Sequence, residues 1–365
     1  MTLTATELRD RLAAVEDPQN GDDIVSMGLV TDVAVSEDTA LVELAFNAPY
    51  APTEIDIGND IRDVVEDAGL EPDLRASVGS DQGFDDEILP NVKNVVAVAS
   101  GKGGVGKTTV AANLAAGLND RGARVGILDA DVHGPNVPRV LPTENEPGVT
   151  PDGDIVPPAS EGVRVMSTDH MMPDGDEPAV MRGPMVNNVM MKFVNEVEWG
   201  RLDYLVVDLP PGTGDASLNL LQTLPVAGVV VTTPQEMAVA DARKGLRLFD
   251  DHDAPVLGVV ENMASFYCPN CGDVHDVFGT GGAAEISDDY DVPVLAELPV
   301  HPDFDSEDSD GPTIRDQDAA VRDDLFEFVD ATADRIGELN RRKVAEHVAE
   351  RGDDVPTEPE TPADD

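Results

Sequence analysis

The spacing of apolar residues changes along this chain, and each change predicts a different kind of element. Residues 4–15 repeat with a period near 3.6, which predicts a helix, and "IVSMGLVTDVAVSEDTALVELAFN" reads as strand, turn and strand from its alternation and β-branched residues. "APTEIDIGNDIRDVVEDAGL" returns to helical spacing, so residues 1–80 form an α-β-β-α-β unit, a small α+β domain. The glycine- and acid-rich "GSDQGFDDEILPNVKN" supplies a linker at 81–93. From residue 94 the pattern becomes one of continuous runs: "VVAVAS", "RVGILDA", "DYLVVDLP", "AGVVVTTP" and "VLGVVENM". Strands that are apolar on both faces belong to a parallel sheet covered by helices on both sides. The predicted class is therefore α/β, with a mainly parallel sheet over 94–348 and its functional loops at the carboxyl ends of the strands. A last helix is expected at roughly 314–345, and the acidic, proline-containing stretch 349–365 is expected to be disordered.

Charge narrows the function more than composition does. A hydrophobic content of 41% is enough for ordinary cores, but 73 acidic against 24 basic residues give a net charge of -49. Duplex DNA is bound by neutralising its phosphates with Lys and Arg, and the one short basic cluster is "NRRK" at 340–343, so no nucleic-acid partner is expected. Self-repulsion on this scale is relieved at molar salt, where the Debye length falls to about 3 Å. The surface is thus expected to be that of a salt-adapted, haloarchaeal protein. The apolar runs are too short to span a bilayer, and "MTLTATELRD" lacks the regions of a signal peptide, so a cytoplasmic protein with no membrane partner is expected. Cys268 and Cys271 are the only cysteines, which is no disulfide framework and suggests a metal or redox role.

"GKGGVGKT", Gly101 to Thr108, lies between a predicted strand and a predicted helix, the setting in which a Walker A pattern is informative. The amides of Gly101, Lys102, Gly103, Gly104, Val105, Gly106, Lys107, Thr108 and Thr109 are placed to wrap a triphosphate at a helix N-terminus. Lys107 is assigned to the β- and γ-phosphates of ATP and the Thr108 hydroxyl to Mg²⁺. Asp129 and Asp131 in "ILDADVHGPN", and Asp208 in "LVVDLPPGTGD", follow strands and can face the phosphates. Asp208 suits the Walker B role of holding Mg²⁺ through water, Gly212 can offer an amide to the γ-phosphate, and Asp131 can orient the attacking water. The other reading of these acids, above all of Asp129, is a loop cap or turn former.

The pair Cys268 and Cys271, spaced Cys-x-x-Cys, points two thiolates at one metal or cluster. A tetrahedral zinc or a 4Fe-4S cluster takes four ligands, which two copies of the pair across a dimer axis supply. A zinc knob and a redox pair remain compatible with the spacing alone. His275, four residues after Cys271, is either a third zinc ligand or a polar loop histidine.

Lys102 is a second lysine in a loop that needs one. "KGGVGKTT" resembles the deviant Walker A loop of the family containing MinD, ParA, the arsenite-pump ATPase and nitrogenase iron protein. That resemblance implies that Lys102 reaches the nucleotide of the other subunit in a homodimer, that Asn262 lies where relatives recognise adenine, and that hydrolysis is slow. "LDADVHGPNVPRVL", "VMRGPMV", "LPPGTGD" and "ENMASFYCPNCGDVHDVFGTGG" resemble, over roughly 92–300, the Mrp/ApbC branch of cluster-carrying ATPases. The branch implies a 4Fe-4S cluster bridging two subunits on Cys268 and Cys271, with apo iron-sulfur proteins and assembly factors as partners. Arg182 belongs to one of these blocks without a role that spacing can give it. "VEDPQNGDDIVSMGLVTDVAV" resembles a PaaD-like domain; it holds no cysteine here, so it is read as a docking module or as a folding signature alone. The rival readings are a MinD- or ParA-like spatial-organisation ATPase, disfavoured by the acidic C-terminal stretch and the missing basic surface, and an ATP-gated, zinc-bridged dimer without iron.

Overall fold

The computed structural model describes residues 3–76, 88–171, 183–268, 270–305 and 311–353. They divide into two units, one made of Met1–Gly83 with Asp334–Asp365, the other of Phe84–Ala333.

In the smaller unit, α1 (Ala5–Leu12) begins with a capping box: the Glu7 amide donates to the Thr4 hydroxyl while the Thr4 amide donates to the Glu7 carboxylate. β1 (Val30–Val35) and β2 (Thr39–Leu44) form an antiparallel hairpin. α2 (Pro52–Asp67) crosses over so that β3 (Glu71–Ala76) joins β2 in parallel. Leu8, Leu12, Ile24, Leu29, Ile57 and Ile61 are completely buried between sheet and helices, each worth about 1.5–3 kcal/mol of removed apolar surface.

The larger unit is a wound sheet. Its strands are β4 (Val92–Ser100), β5 (Val125–Asp129), β8 (Ala159–Ser160), β9 (Val163–Ser167), β10 (Leu202–Asp208), β11 (Val226–Thr232), β12 (Val256–Tyr267), β13 (Val274–His275) and β14 (Val294–Val300); β6 (Gly148–Val149) and β7 (Ile155–Val156) pair separately. The order is β13-β12-β11-β4-β10-β5-β9-β8 with β14 beside β12. It is parallel except at the β12/β13 and β8/β9 pairs, so each continuous apolar run of the sequence lies in its interior. Covering helices are α3 (Lys107–Asp120), α4 (Val137–Val140), α5 (Gly183–Asn195), α6 (Asp215–Thr223), α7 (Glu236–Asp250) and α8 (Gly282–Tyr290). α3 is buried nearly all round, from Val110 to Leu118, which its run of alanines permits. The order reverses at β4, which lies between β10 and β11, and a crevice at the carboxyl ends of its strands follows from that topology.

The last helix differs from expectation at both ends. It is α9 (Arg322–Asp353), preceded by a separate 3-10 turn at Thr313–Arg315. The Ile314 amide donates to the Asn113 side chain of α3 at 2.8 Å, which ties the chain down before the helix can begin. Five residues of the stretch expected to be disordered, 349–353, are helical, and 354–365 lie outside the described residues, as does 81–87 of the predicted linker. From Asp334 onward α9 belongs to the smaller unit, where 348 was the expected limit of the larger domain. Its Val344 and Ala345 pack on the smaller core, and the completely buried Arg341 donates to Asp17 at 2.7 Å and to Gln19 at 2.5 Å. Periodicity shows that a helix has an apolar face but not which core receives it. No helix among the described residues is long and apolar enough to cross a membrane.

Candidate functional site

β4 ends at Ser100 and α3 starts at Lys107, so the six residues between them form the turn at the sheet's reversal point. Gly104 and Gly106 have φ of 81° and 84°, the left-handed region that favours glycine. A Cβ on Gly101 would stand 2.1 Å from the carbonyl carbon of Asp241 in α7, so only glycine fits there. Among the described residues, nothing accepts a hydrogen bond from the amides of Gly103 to Gly106, and a Cβ on Gly103 or Gly104 would meet open space. Unpaired amides at the start of a 14-residue helix suit a phosphate chain.

At the floor of this loop the buried Lys107 ammonium is paired with Asp208 Oδ1, while the Thr108 hydroxyl donates to Asp208 Oδ2 at 2.7 Å. Burial raises the Asp208 carboxyl above the usual range, against the pull of Lys107 and Thr108. A hydroxyl and a carboxylate converging within hydrogen-bond distance are hard oxygen donors of the kind Mg²⁺ prefers, so the residues fit that ion.

Asp129 and Asp208 are direct neighbours in the β5/β10 register, but their carboxylates do different things. Asp129 accepts from the amides of Asp131 at 3.2 Å, Asn136 at 3.0 Å and Val137 at 3.1 Å, and from the Ser167 hydroxyl at 3.2 Å. It folds the loop 131–137, the cap role that the sequence left open. Burial, and then the charge of Asp208, push it up to about 7. Asp131 is only half-buried and borders a cavity of about 640 Å³ with His133, Pro210, Asp215 and Asn219. Lys107 and Thr108 do not line that cavity, so it is not the phosphate cradle.

Three predicted ligands are engaged elsewhere in this conformation. The Gly212 amide donates to the Ser100 carbonyl at 2.8 Å. The buried Asn262 side chain donates to the Val105 carbonyl at 2.8 Å, bracing the phosphate loop from the middle of β12. The Lys102 ammonium donates to Gln235 Oε1 at 3.2 Å, a partner different from the Asp208 that holds Lys107. Thr109 sits in the first turn of α3, its carbonyl accepting from Asn113 at 2.9 Å. Gln235 and Asp241, which contact the loop, were not singled out in the sequence; Gln235 was findable, because it follows β11 at the carboxyl edge of the sheet. Arg182 lies outside the described residues.

The cysteines occupy a hairpin at the sheet edge. β12 runs three residues beyond Ala264 to Tyr267, and β13 folds back on it with Phe266 opposite His275 and Tyr267 opposite Val274. The Cys268 amide donates to the Asp273 carbonyl at 3.0 Å and the Gly272 amide to the Cys268 carbonyl at 2.9 Å. The amides of Cys271 and Asn270, then the Cys271 side chain, hydrogen-bond the Cys268 thiol and hold it below its usual range. That favours the thiolate, the form that binds metals. Cys268 is half-buried and Cys271 exposed, both free, and a His275 ring nitrogen lies with the two sulfurs in a group whose members are all within 4.8 Å.

Comparison with known proteins agrees with this division of the chain. Residues 91–333 match the family model described as NUBPL iron-transfer P-loop NTPase, and residues 5–78 match one described as iron-sulfur cluster assembly protein. An iron-sulfur cluster carrier protein of Deinococcus radiodurans is 42% identical over 293 residues, 79% of this chain and 83% of its own. One of the same description from Synechocystis is 38% identical over 309 residues, 82% of this chain and 87% of its own. A nucleotide-binding protein from Archaeoglobus fulgidus, solved in complex with ADP and with cobalt detected, is 34% identical over 68% of this chain and 89% of its own, with a TM-score of 0.52.

Proposed function

This chain belongs to the NUBPL iron-transfer P-loop NTPase family, and from that premise we propose that it is an ATP-hydrolysing iron-sulfur cluster carrier. It binds a cluster on Cys268 and Cys271 and delivers it to apo-proteins. The observation that carries this reading is the double engagement of β12. Asn262 on that strand holds the Val105 carbonyl of the phosphate loop at 2.8 Å, and Cys268 follows directly where the strand ends. Movement of the loop on nucleotide binding is thereby passed along one strand to the thiols, a local change with a distant readout.

In the proposed cycle the amides of the deviant Walker A loop and Lys107 bind the phosphates of ATP, Lys107 exchanging Asp208 for a phosphate oxygen. Mg²⁺, when bound, neutralises charge between the phosphates; Thr108, and Asp208 through water, would hold it. Asp131 orients water, and Gly212 turns its amide from Ser100 to the γ-phosphate. Lys102 leaves Gln235 to reach the nucleotide of a second subunit, so the working form is a homodimer and hydrolysis is slow enough to act as a switch. Two Cys-x-x-Cys hairpins across the dimer axis give the four thiolates that a 4Fe-4S cluster takes. The smaller unit is a docking module for recipients or assembly factors. A net charge of -49 suits the cytoplasm of a salt-adapted, haloarchaeal cell.

The test is purification without oxygen, in high salt, with iron and sulfide measured. The expected product is a brown dimer holding about four iron atoms. Changing both Cys268→Ala and Cys271→Ala removes the iron and leaves ATP affinity within about twofold. A colourless dimer with one zinc and no iron would overturn the reading.

A further inference from the structure

The cysteine hairpin carries one donor more than a bridging cluster needs. Pairing of β13 with β12 sets His275 opposite Phe266, and the two rings stack with centroids 6.5 Å apart. The imidazole thus lies beside the sulfurs, and all three donors fall within 4.8 Å of one another. With zinc-sulfur bonds of about 2.3 Å and zinc-nitrogen bonds of about 2.0 Å, donors around a tetrahedral ion stand roughly 3.7 Å apart. Cys271 and His275 are exposed, so their side chains have room to turn toward a common ion.

We infer that Cys268, Cys271 and His275 form a metal site within a single chain, selective for a thiophilic divalent ion such as Zn²⁺ and open at the fourth position. Two thiolates and an imidazole are the donor set of a borderline-soft ion, and three protein ligands with an exchangeable fourth resemble a reactive site rather than a sealed structural one. The site uses two of the sulfurs assigned to the cluster, so ion and cluster exclude each other on one chain. Metal-bound protein is thus a state that withholds the cysteines from cluster loading and protects them from oxidation. The inference shares Cys268 and Cys271 with the cluster reading but does not depend on it.

Co²⁺ is the probe, titrated into the full apo chain without oxygen and with excess Mg²⁺ to occupy the phosphate loop. The expected result is one Co²⁺ per chain, bound by monomeric protein, with the intense visible bands of tetrahedral cobalt and thiolate-to-cobalt charge transfer. His275→Ala should weaken binding at least about tenfold, the loss that even an outer partner of a ligand can produce. His275→Cys should restore affinity with stronger charge transfer. Nucleotide affinity serves as the folding control for every variant. Cobalt bound as tightly and with the same spectrum in His275→Ala would overturn the inference, as would one Co²⁺ per two chains. Iron-sulfur loading of His275→Ala, measured in parallel, reads the cluster proposal separately: loading should match the parent chain, and failure of every variant to load iron would sink that proposal while leaving the cobalt result standing.

Discussion

The phosphate loop and the thiol hairpin are built on opposite plans. Beyond the Ser100 hydroxyl, which donates to the Lys102 carbonyl, the contacts described for the loop come from far away in the chain: Asp208 ends β10, Asp241 lies in α7, and Asn262 is in the middle of β12. The hairpin is held largely by its own neighbours, through the β12/β13 pairing and the bonds between Cys268, Gly272 and Asp273, with Phe266 also paired to Val300 of β14. A site assembled from distant parts is intolerant of change, whereas a hairpin held largely by adjacent residues at a sheet edge leaves less of the core depending on its ligands. A carrier needs both, since nucleotide recognition calls for a preorganised cradle and cargo exchange for accessible sulfurs.

Breaking the loop should have the largest effect. Gly101→Ala forces a methyl to within 2.1 Å of the Asp241 carbonyl carbon. It should cost about 3 kcal/mol of stability, as severe overpacking does, with ATP affinity down about 100-fold by calorimetry. A variant with parental affinity would show that the loop and α7 can move apart. The next effect sharpens the comparison within the loop itself. Lys102→Ala should slow hydrolysis about 100-fold, as loss of one preorganised charge-stabilising donor does, with ATP affinity within about threefold. An equal fall in affinity would place Lys102 on its own subunit's nucleotide.

The smallest effect separates scaffold from site along one strand. β10 ends in Asp208 at the loop and starts beside Asp203, which binds Arg124 at 2.8 Å and Lys93 at 3.0 Å. Burial works against the Asp203 charge, but hydrogen bonds from the Arg124 side chain and amide and from Lys93 hold it at about 2, below an ordinary 3.8. A folded pKa below the unfolded one stabilises above pH 3.8, and that stability is lost as pH falls through 2. Asp203→Asn should therefore lower neutral-pH stability by about 2 kcal/mol. In denaturant titrations the difference from the parent should shrink between about pH 4 and pH 2, and hydrolysis per folded molecule should not change.

The same contrast governs what was legible. The glycine loop and the Cys-x-x-Cys pair are short-range patterns, legible because the residue types that mark them lie next to one another in the chain. Asp129 was not decidable from its place after a strand: whether a carboxylate faces phosphate or caps a loop depends on residues 136, 137 and 167, which only folding brings to it. Lys102's partner Gln235 and the bracing of Val105 by Asn262 are likewise contacts across more than 130 residues.

By itself the sequence determined the parallel sheet, through continuous apolar runs that no half-exposed strand can carry. It determined that a last helix exists. Only the tertiary structure decided that this helix divides at Asp334 and gives Arg341 to the smaller unit. Only the tertiary structure turned His275 toward the sulfurs. Periodicity and spacing encode what a segment prefers next to itself, whereas the partner that meets a buried face or completes a ligand set is chosen by packing.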